Sequence, residues 1–528
     1  MFDATKAATA DGCPEVSRRA STLSVLPCCL AEEMGRKFAG KKTDAERKTH
    51  GIFLTPEAVA RFMAGLLSVK TKRVRLLDPA AGLGILICAV VEELVEKGAV
   101  EEIEVVAHEL DRDLCVGLER VLDALVLWAK VAGVLVRYVV KSGDFVLSEC
   151  ISLEMLAGLR ESAKFDLVIG NPPYFKIGKN DPRAAAAVAV VYGQPNIYSV
   201  FMAVSAALLK TGGQFVFIVP RSFASGPYFA RFREWFFERV RPTLVHVFDS
   251  RRDAFERDEV LQENVIFAGI RDDGWGKQSQ AALVSISSSH GIRDVRDARV
   301  VRRSLSDMIA GEDHILRIPA SADEELALER VERWKGSLEA YGLKISTGPV
   351  VAFRATKWLR RDAASDAVPL LWLNHVFSME THWPNGVRKP QYIASEATTE
   401  KLLLPNRNYV VMRRFSAKED ARRLTAAPLI AESISAKLVG LENHLNYVYR
   451  PGGSLTDNEA WGLAALYSSN LMDAYFRCVN GNTQVSATEL RNMPLPPLSQ
   501  ISELGRKIRN TKQAMSAVDS LVETVITG

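Results

Sequence analysis

The residues best suited to chemistry by type and spacing are Asn171-Pro172-Pro173-Tyr174, which follow the apolar run Phe165 to Ile169. Two prolines fix the backbone dihedrals and remove two amide donors, leaving carbonyls as acceptors. Asn171 adds a side-chain carbonyl and Tyr174 a flat aromatic face. Such a loop suits a planar substrate carrying an N–H₂ group. The lone pair of an aromatic amine is conjugated into its ring and is a poor nucleophile. Asn171 Oδ1 and the Pro172 carbonyl can hold both amine hydrogens and favour a tetrahedral-like nitrogen. Its lone pair then points at an electrophilic methyl, and positioning supplies much of the rate. No carboxylate base is needed before attack, because the amine becomes acidic once methylated.

A second run, Leu76-Leu77-Asp78-Pro79-Ala80-Ala81-Gly82-Leu83-Gly84, lies upstream. Glycines between a strand and a helix let backbone approach a ligand at the carboxyl edge of a sheet. A dinucleotide fingerprint needs a third glycine three residues on, where Ile87 stands. Glu109, ending the next apolar run, is placed to accept from ribose hydroxyls. Ser142-Gly143-Asp144-Phe145 ends a third run: Asp144 can accept from an exocyclic adenine amine while Phe145 packs on the ring. Together these describe an adenosine-type pocket without a pyrophosphate grip, which suits S-adenosylmethionine. A G-x-G turn or a proline pair alone is a common structural turn. Their combination with acids at successive strand ends is far more specific.

These groups must be positioned by a sheet, and the sequence alternates accordingly. Thr55-Pro56-Glu57 has the form of a helix start, with Thr55 as N-cap, and apolar residues recur at helical spacing to Leu67. Strands are expected at 74–77, 103–107, 134–140, 165–169, 214–219, 243–248 and 264–267, with helices over 85–97, 112–130 and 198–210. Gly212-Gly213 would end the last of these in a left-handed cap. The pattern predicts an α/β fold with a Rossmann-like doubly wound sheet over residues 51–270. Residues 1–50 form an N-terminal extension, and residues 271–528, where alternation is lost, a mixed α+β domain. In that distal part Gln278 to His290 reads as linker or a small strand, and Leu343 to Phe353 as irregular. Glu324 to Trp334 reads as helix, and Ile501 to Ile526 as one amphipathic helix.

Composition sets the frame. At 528 residues the chain exceeds the roughly 250–300 that one hydrophobic core can serve, so at least two domains are expected. Lys+Arg 67 against Asp+Glu 63 permits a nucleic-acid partner without demanding one. The apolar stretch Pro79 to Val91 falls short of the roughly 20 residues of a membrane span. Asp3, Asp11 and Glu15 argue against a signal peptide. Seven cysteines, odd in number and never spaced C-x-x-C, favour a reducing cytoplasm. Gly35 to Lys42 lacks the Ser/Thr of a phosphate loop, and His108-Glu109 lacks the second histidine of a zinc helix, so no metal is assigned.

With these motifs in view, the sequence from about residue 50 resembles the amino-group DNA methyltransferases, specifically the N6-adenine enzymes of stand-alone type II restriction–modification systems. Gly51 to Pro56 resembles the family's leading motif, in which Thr55 packs on the methionine part of the cofactor. Asp78, Ala80, Gly82 and Gly84 match the cofactor motif, Glu109 the ribose acid, and Asp144-Phe145 the adenine pocket. Asn171, Pro172 and Tyr174 match the catalytic motif, with Asn171 also bordering the cofactor. Phe255, in Ala254-Phe255-Glu256-Arg257, matches an aromatic that stacks on the flipped base opposite Tyr174, with Phe248 as its rival. Ile85 and Leu86 depart from the family, which often has an aromatic there.

The resemblance implies a C-terminal DNA target-recognition domain, residues 271–528, whose start Ile345 to Arg354 resembles. Between Lys401 and Arg423, seven cations (401, 407, 413, 414, 418, 422, 423) face two acids; Arg413 and Arg414 are phosphate-contact candidates, and Asn482-Thr483-Gln484 groove readers. The implied activity is S-adenosylmethionine-dependent, adenine-specific methylation of a short double-stranded DNA site, guarding it from a cognate restriction endonuclease. The enzyme would act as a monomer in a prokaryotic cytoplasm, without a stable protein partner. One alternative is N4 methylation of cytosine, where the family more often shows Ser in place of Asn171. RNA guanine-N2 and protein glutamine methyltransferases share Asn-Pro-Pro but generally lack the Thr-Pro segment and so large a distal domain. Type I modification subunits usually carry a longer helical region before the motif. Against a non-catalytic DNA-binding module stand the intact Asn171, Tyr174 and both glycines.

Overall fold

The computed structural model describes residues 25–40, 55–193, 195–248, 263–275, 282–311, 313–386, 388–416, 420–480, 484–511 and 514–527. The chain forms two compact units, one of residues 1–223 and 228–316, the other of 224–227 and 317–528. Among the described residues no helix is long and apolar enough to cross a membrane.

The first unit is built on a nine-stranded sheet. Its strands are β1 (Arg73–Asp78), β2 (Glu102–Glu109), β3 (Leu135–Ser142), β4 (Phe165–Gly170), β5 (Leu209–Pro220), β6 (Val240–Phe248), β7 (Asn264–Arg271), β8 (Leu283–Ser289) and β9 (Arg299–Ser304). The order is β3-β2-β1-β4-β5-β7-β6-β8-β9. β1 to β5 run parallel, and β7 lies antiparallel between β5 and β6. The apolar runs make these strands because both faces are covered. On one face lie α1 (Pro27–Ala39), α2 (Glu57–Gly65), α3 (Ile85–Glu96) and α4 (Arg112–Val131), which bury Cys28, Val59, Ile87 and Leu118 over Leu76, Val105, Ile169 and Ile218. On β4's far side α7 (Ile197–Ala207) is buried along its whole length, and Phe215, Phe217 and Phe267 pack ring on ring. Among the short helices between them are α5 (Phe145–Glu149) and α6 (Pro182–Ala186).

Glu92 ties the first face together. Fully buried on α3, it accepts from the Cys28 amide of α1 at 2.7 Å and from Arg61 Nη2 of α2 at 3.0 Å. Arg61 Nε also donates to Glu57 Oε1 at 2.7 Å.

Several expectations are corrected. The boundary at 270 falls inside the sheet: β8 pairs parallel with β6, and the first unit runs on to Leu316. Within the expected N-terminal extension, residues 27–39 form a helix built into the core of the first unit. Thr55 does not cap α2; the N-cap is Pro56, and no side chain bonds the first turn. The helix before the paired glycines stops at Ala207, and Gly212 (φ +79°) lies within β5. Lys344–Thr347 is a strand, not irregular. The terminal amphipathic stretch divides into Leu498–Arg509 and Ala514–Val522.

The second unit holds a four-stranded antiparallel sheet (344–347, 445–449, 409–413, 426–429) and a five-stranded one. Its helices Asp457–Tyr467 and Leu498–Arg509 cross backbone to backbone. A Cβ on Gly462 would stand 1.9 Å from the Ile501 carbonyl oxygen, and one on Gly505 1.9 Å from that of Asn458. No side-chain rotation relieves a clash with backbone, so Gly462→Ala must part the helices. We expect it to destabilise this unit by about 2–3 kcal/mol or more. Calorimetry should show one transition lowered and the other unmoved; an unchanged thermogram would refute the close crossing.

Candidate active site

The five parallel strands end at one edge, and a cleft opens there. The β1 turn brings Pro79, Ala80 and Gly82 to it, β2 brings Glu109, and the segment after β3 brings Asp144 and Phe145. Asn171 and Pro173 follow β4. Of the residues singled out in the sequence, Ala80, Gly82, Glu109, Asp144, Phe145 and Asn171 line this cleft. Thr55, Asp78, Gly84, Pro172 and Tyr174 are not in the lining but support it.

The turn holds its shape by main-chain bonds. Gly84 N–H donates to the Ala81 carbonyl at 2.7 Å, and Ala81 N–H to the His108 carbonyl at 2.9 Å. Gly84 is the left-handed N-cap of α3 (φ +81°), and a Cβ there would meet Leu118 Cδ1 at 2.8 Å. Both oxygens of Glu109 accept from main chain, Oε2 from Gly82 and Oε1 from Asp111, each at 2.8 Å. Burial pushes the Glu109 carboxyl up, with these amides opposing. The acid therefore clamps the glycine turn as well as facing the cleft.

Asp144 caps α5, its Oδ1 accepting from Leu147 N–H at 3.0 Å. Phe145 is buried between His108 (5.0 Å, edge to face) and Phe201 (5.2 Å). Arg183 and Phe175 are among the lining residues that escape sequence reasoning. Arg183 is held by Asp181 at 2.8 and 2.6 Å, lies 5.5 Å from the Phe175 ring centre, and reaches Asp144 Oδ2 at 3.5 Å. Asp181-Pro182 is a helix-start signature and could have located this wall; Phe175 offers no signal beyond following Tyr174.

Asn171 is half-buried. Its Nδ2 donates to Thr55 Oγ1 at 3.1 Å, and its Oδ1 accepts from the Tyr174 hydroxyl at 2.5 Å. The same hydroxyl lies 3.0 Å from the Ile218 carbonyl of β5. Burial pushes the Tyr174 phenol well above its ordinary value, so it stays a donor. Its ring stands edge to face with Tyr198 at 6.2 Å.

Asp78 ends β1 fully buried; Oδ1 accepts from Ala80 N–H at 3.1 Å, while Oδ2 has no hydrogen-bond partner among the described residues. Burial raises its carboxyl to about 7, with Glu109 adding to the rise. Together with the acids Glu109 and Asp144, the latter beside Arg183, and the aromatic Phe145, this arrangement fits a ligand bearing ribose hydroxyls and adenine. The folded state holds the Asp78 proton more tightly than the unfolded chain, whose pKa is 3.8. Its stabilising share is therefore complete below about pH 4 and lost as pH rises through about 7. In ligand-free protein Asp78→Asn should melt more than about 5 °C higher than the parent at pH 8. The gap should narrow steadily towards pH 4. A pH-independent difference would show that Asp78 is ionised throughout.

The sheet and the cleft at its carboxyl edge define the doubly wound α/β class to which many methyltransferases belong. The profile of the Eco57I restriction-modification methylase family matches residues 140–255. The chain is 33% identical over 487 residues to the type II methyltransferase M.BsuBI of Bacillus subtilis, covering 90% of this chain and 94% of that protein. It is 31% identical over 479 residues to M.PstI of Providencia stuartii, covering 90% and 92%. Among solved structures, a DrdV–DNA complex aligns over 91% of this chain and 59% of its own, at 13% identity and a TM-score of 0.47. The chain belongs to the type II methyltransferases of restriction–modification systems.

Phe255 lies outside the described residues, as do Asn482 and Thr483. Its rival Phe248 is a buried core residue, 4.6 Å from His246. Gln484 forms a main-chain bridge with Phe415. The basic stretch is largely engaged within the unit. Arg407, Arg413 and Arg414 donate to the carbonyls of Gly453, Val376 and Asn443, Arg422 pairs with Asp519 at 2.6 Å, and Arg423 is buried.

Proposed function

We propose that this protein methylates N6 of an adenine turned out of a short duplex DNA site, drawing the methyl from S-adenosylmethionine and so protecting the site from a cognate restriction endonuclease. The observation that carries this reading is the Asn171 amide, fixed beside an acid-lined cleft at the carboxyl edge of the sheet. When bound, the cofactor supplies an electrophilic sulfonium methyl. Ala80 and Gly82 would admit it by backbone approach, Glu109 would hold the ribose, and Asp144 and Phe145 the adenine. Asn171 Oδ1 and the Pro172 carbonyl hold the two hydrogens of the target amine, which turns its lone pair out of the ring. Methyl transfer would form an N–C bond as the sulfonium C–S bond breaks, and the methylated nitrogen, now acidic, would lose its proton to water.

An extruded base needs two faces, and Tyr174 and Phe255 are assigned to them. Supporting this, the segment bearing Phe255 joins the end of β6 at Phe248 to the start of β7 at Asn264, both at the edge where Pro220 of β5 also ends. The second unit chooses the site. Arg413 and Arg414 can offer a phosphate only those donors not spent on main-chain carbonyls. Adenine is preferred to cytosine because Asn leads the catalytic motif. The protein acts as a monomer with no stable protein partner, in the cytoplasm of a prokaryote. Methyl-sensitive sequencing of DNA from a host expressing the protein should reveal N6-methyladenine at one short site. N4-methylcytosine would move the reading to its alternative, and unmodified DNA would end it.

A further inference from the structure

The family likeness gives Thr55 to the cofactor, yet Thr55 is not among the residues lining the cleft, and its hydroxyl does not cap the helix it precedes. It is buried, 6% exposed, and spends its oxygen on Asn171 Nδ2. We infer that Thr55 is a positioning residue, whose hydroxyl holds the nitrogen end of the Asn171 amide so that the oxygen end is presented to the target amine. This rests on the function proposed above.

An amide has ends of nearly equal shape, so packing alone does not fix its orientation and hydrogen bonds must. One hydroxyl can serve either end, so a single contact leaves the plane free to swing or invert. Contacts at both ends fix it: Thr55 Oγ1 at 3.1 Å on Nδ2, and the Tyr174 hydroxyl at 2.5 Å on Oδ1. Thr55 can act as an anchor because α2, which it leads into, is itself immobilised. Arg61 of α2 binds Glu57 at 2.7 Å and the buried Glu92 of α3 at 3.0 Å. α3 in turn begins at Gly84, the last residue of the glycine turn. The anchor and the glycine turn are therefore joined through one helix, α3.

The test is the isosteric Thr55→Val, with Thr55→Ser as the conservative variant and Thr55→Ala as a second deletion. With S-adenosylmethionine and duplex DNA saturating, Val and Ala should lower the single-turnover rate about tenfold, the worth of one hydrogen bond. Ser should recover it to within about threefold. Affinity for S-adenosylmethionine, measured by calorimetry, should change less than about twofold. A weakened affinity with an unchanged rate would return the hydroxyl to the cofactor and overturn the inference. An unchanged rate in both Val and Ala would do the same. A crystal structure supplies a readout independent of activity: in Thr55→Val the Asn171 amide should be rotated or split between conformers. An unmoved amide would overturn the inference even if the parent protein proved inactive on DNA, an outcome that separately defeats the proposed function.

Discussion

Asn171→Ala is expected to reduce methyl transfer to DNA by about 10³-fold or more, while S-adenosylmethionine still binds. The substitution removes the side-chain oxygen proposed to hold one amine hydrogen, and with it half of the arrangement that turns the nitrogen lone pair out of conjugation. The Pro172 carbonyl remains, but one acceptor cannot impose a tetrahedral-like geometry on an amine. Binding should survive because the turn, Glu109, Asp144 and Phe145 hold their places through bonds that do not involve Asn171. Incorporation of labelled methyl measures the first effect and calorimetric titration the second. If DNA from a host expressing the variant remained fully methylated, the assignment of Asn171 would be wrong.

The second large effect is on stability. Glu92→Ala leaves the Arg61 guanidinium and the Cys28 amide facing an empty, buried position. Burial pushes the Glu92 carboxyl up, while the Cys28 amide and Arg61 pull it down, so its charge depends on both partners. Breaking such a pair from one side costs about 3–5 kcal/mol, enough to lower the melting of the first unit by about 10 °C. Glu92→Leu combined with Arg61→Met should restore much of that loss, since neither charge is then stranded. Thermal melts of the single and double variants decide the matter. A double variant no more stable than Glu92→Ala would mean that packing, not charge, is what Glu92 provides.

Much of this was legible because the first unit repeats one local rule, a buried apolar run closed by a polar turn. Val74 to Leu77, Ile103 to Ala107 and Phe165 to Ile169 are strands at the expected places, and the residues that end them meet in one cleft. What escaped depends on partners far away in sequence. Gln278 to His290 reads as linker or a small strand; Leu283–Ser289 is a strand, and nothing local shows that Ser287 and Ser289 face inward. They are buried, bonding the ring nitrogens of His246 at 2.8 and 3.1 Å. That histidine stays neutral, its pKa brought down to about 4 by burial. Thr55 looks like a helix cap until Asn171, 116 residues on, is seen to claim its hydroxyl. Arg183 could be placed on a helix start but not on a cleft wall, because nothing local distinguishes a wall from a surface. The cations between Lys401 and Arg423 look like a surface stripe, yet the main-chain carbonyls that hold them come from strands and turns elsewhere in the fold.

The helix crossing at Gly462 and Gly505 has a consequence for how this protein can diverge. A Cβ on Gly505 would also stand 2.7 Å from the Gly462 amide nitrogen, so the two positions constrain each other. The first substitution at either must separate the helices, and once they are separated the second meets more room. The paired change should therefore cost less than the sum of its parts, a positive epistasis between two residues 43 positions apart (505 − 462). A lineage that keeps one glycine is held to keep the other, and one that loses either is freed to lose both.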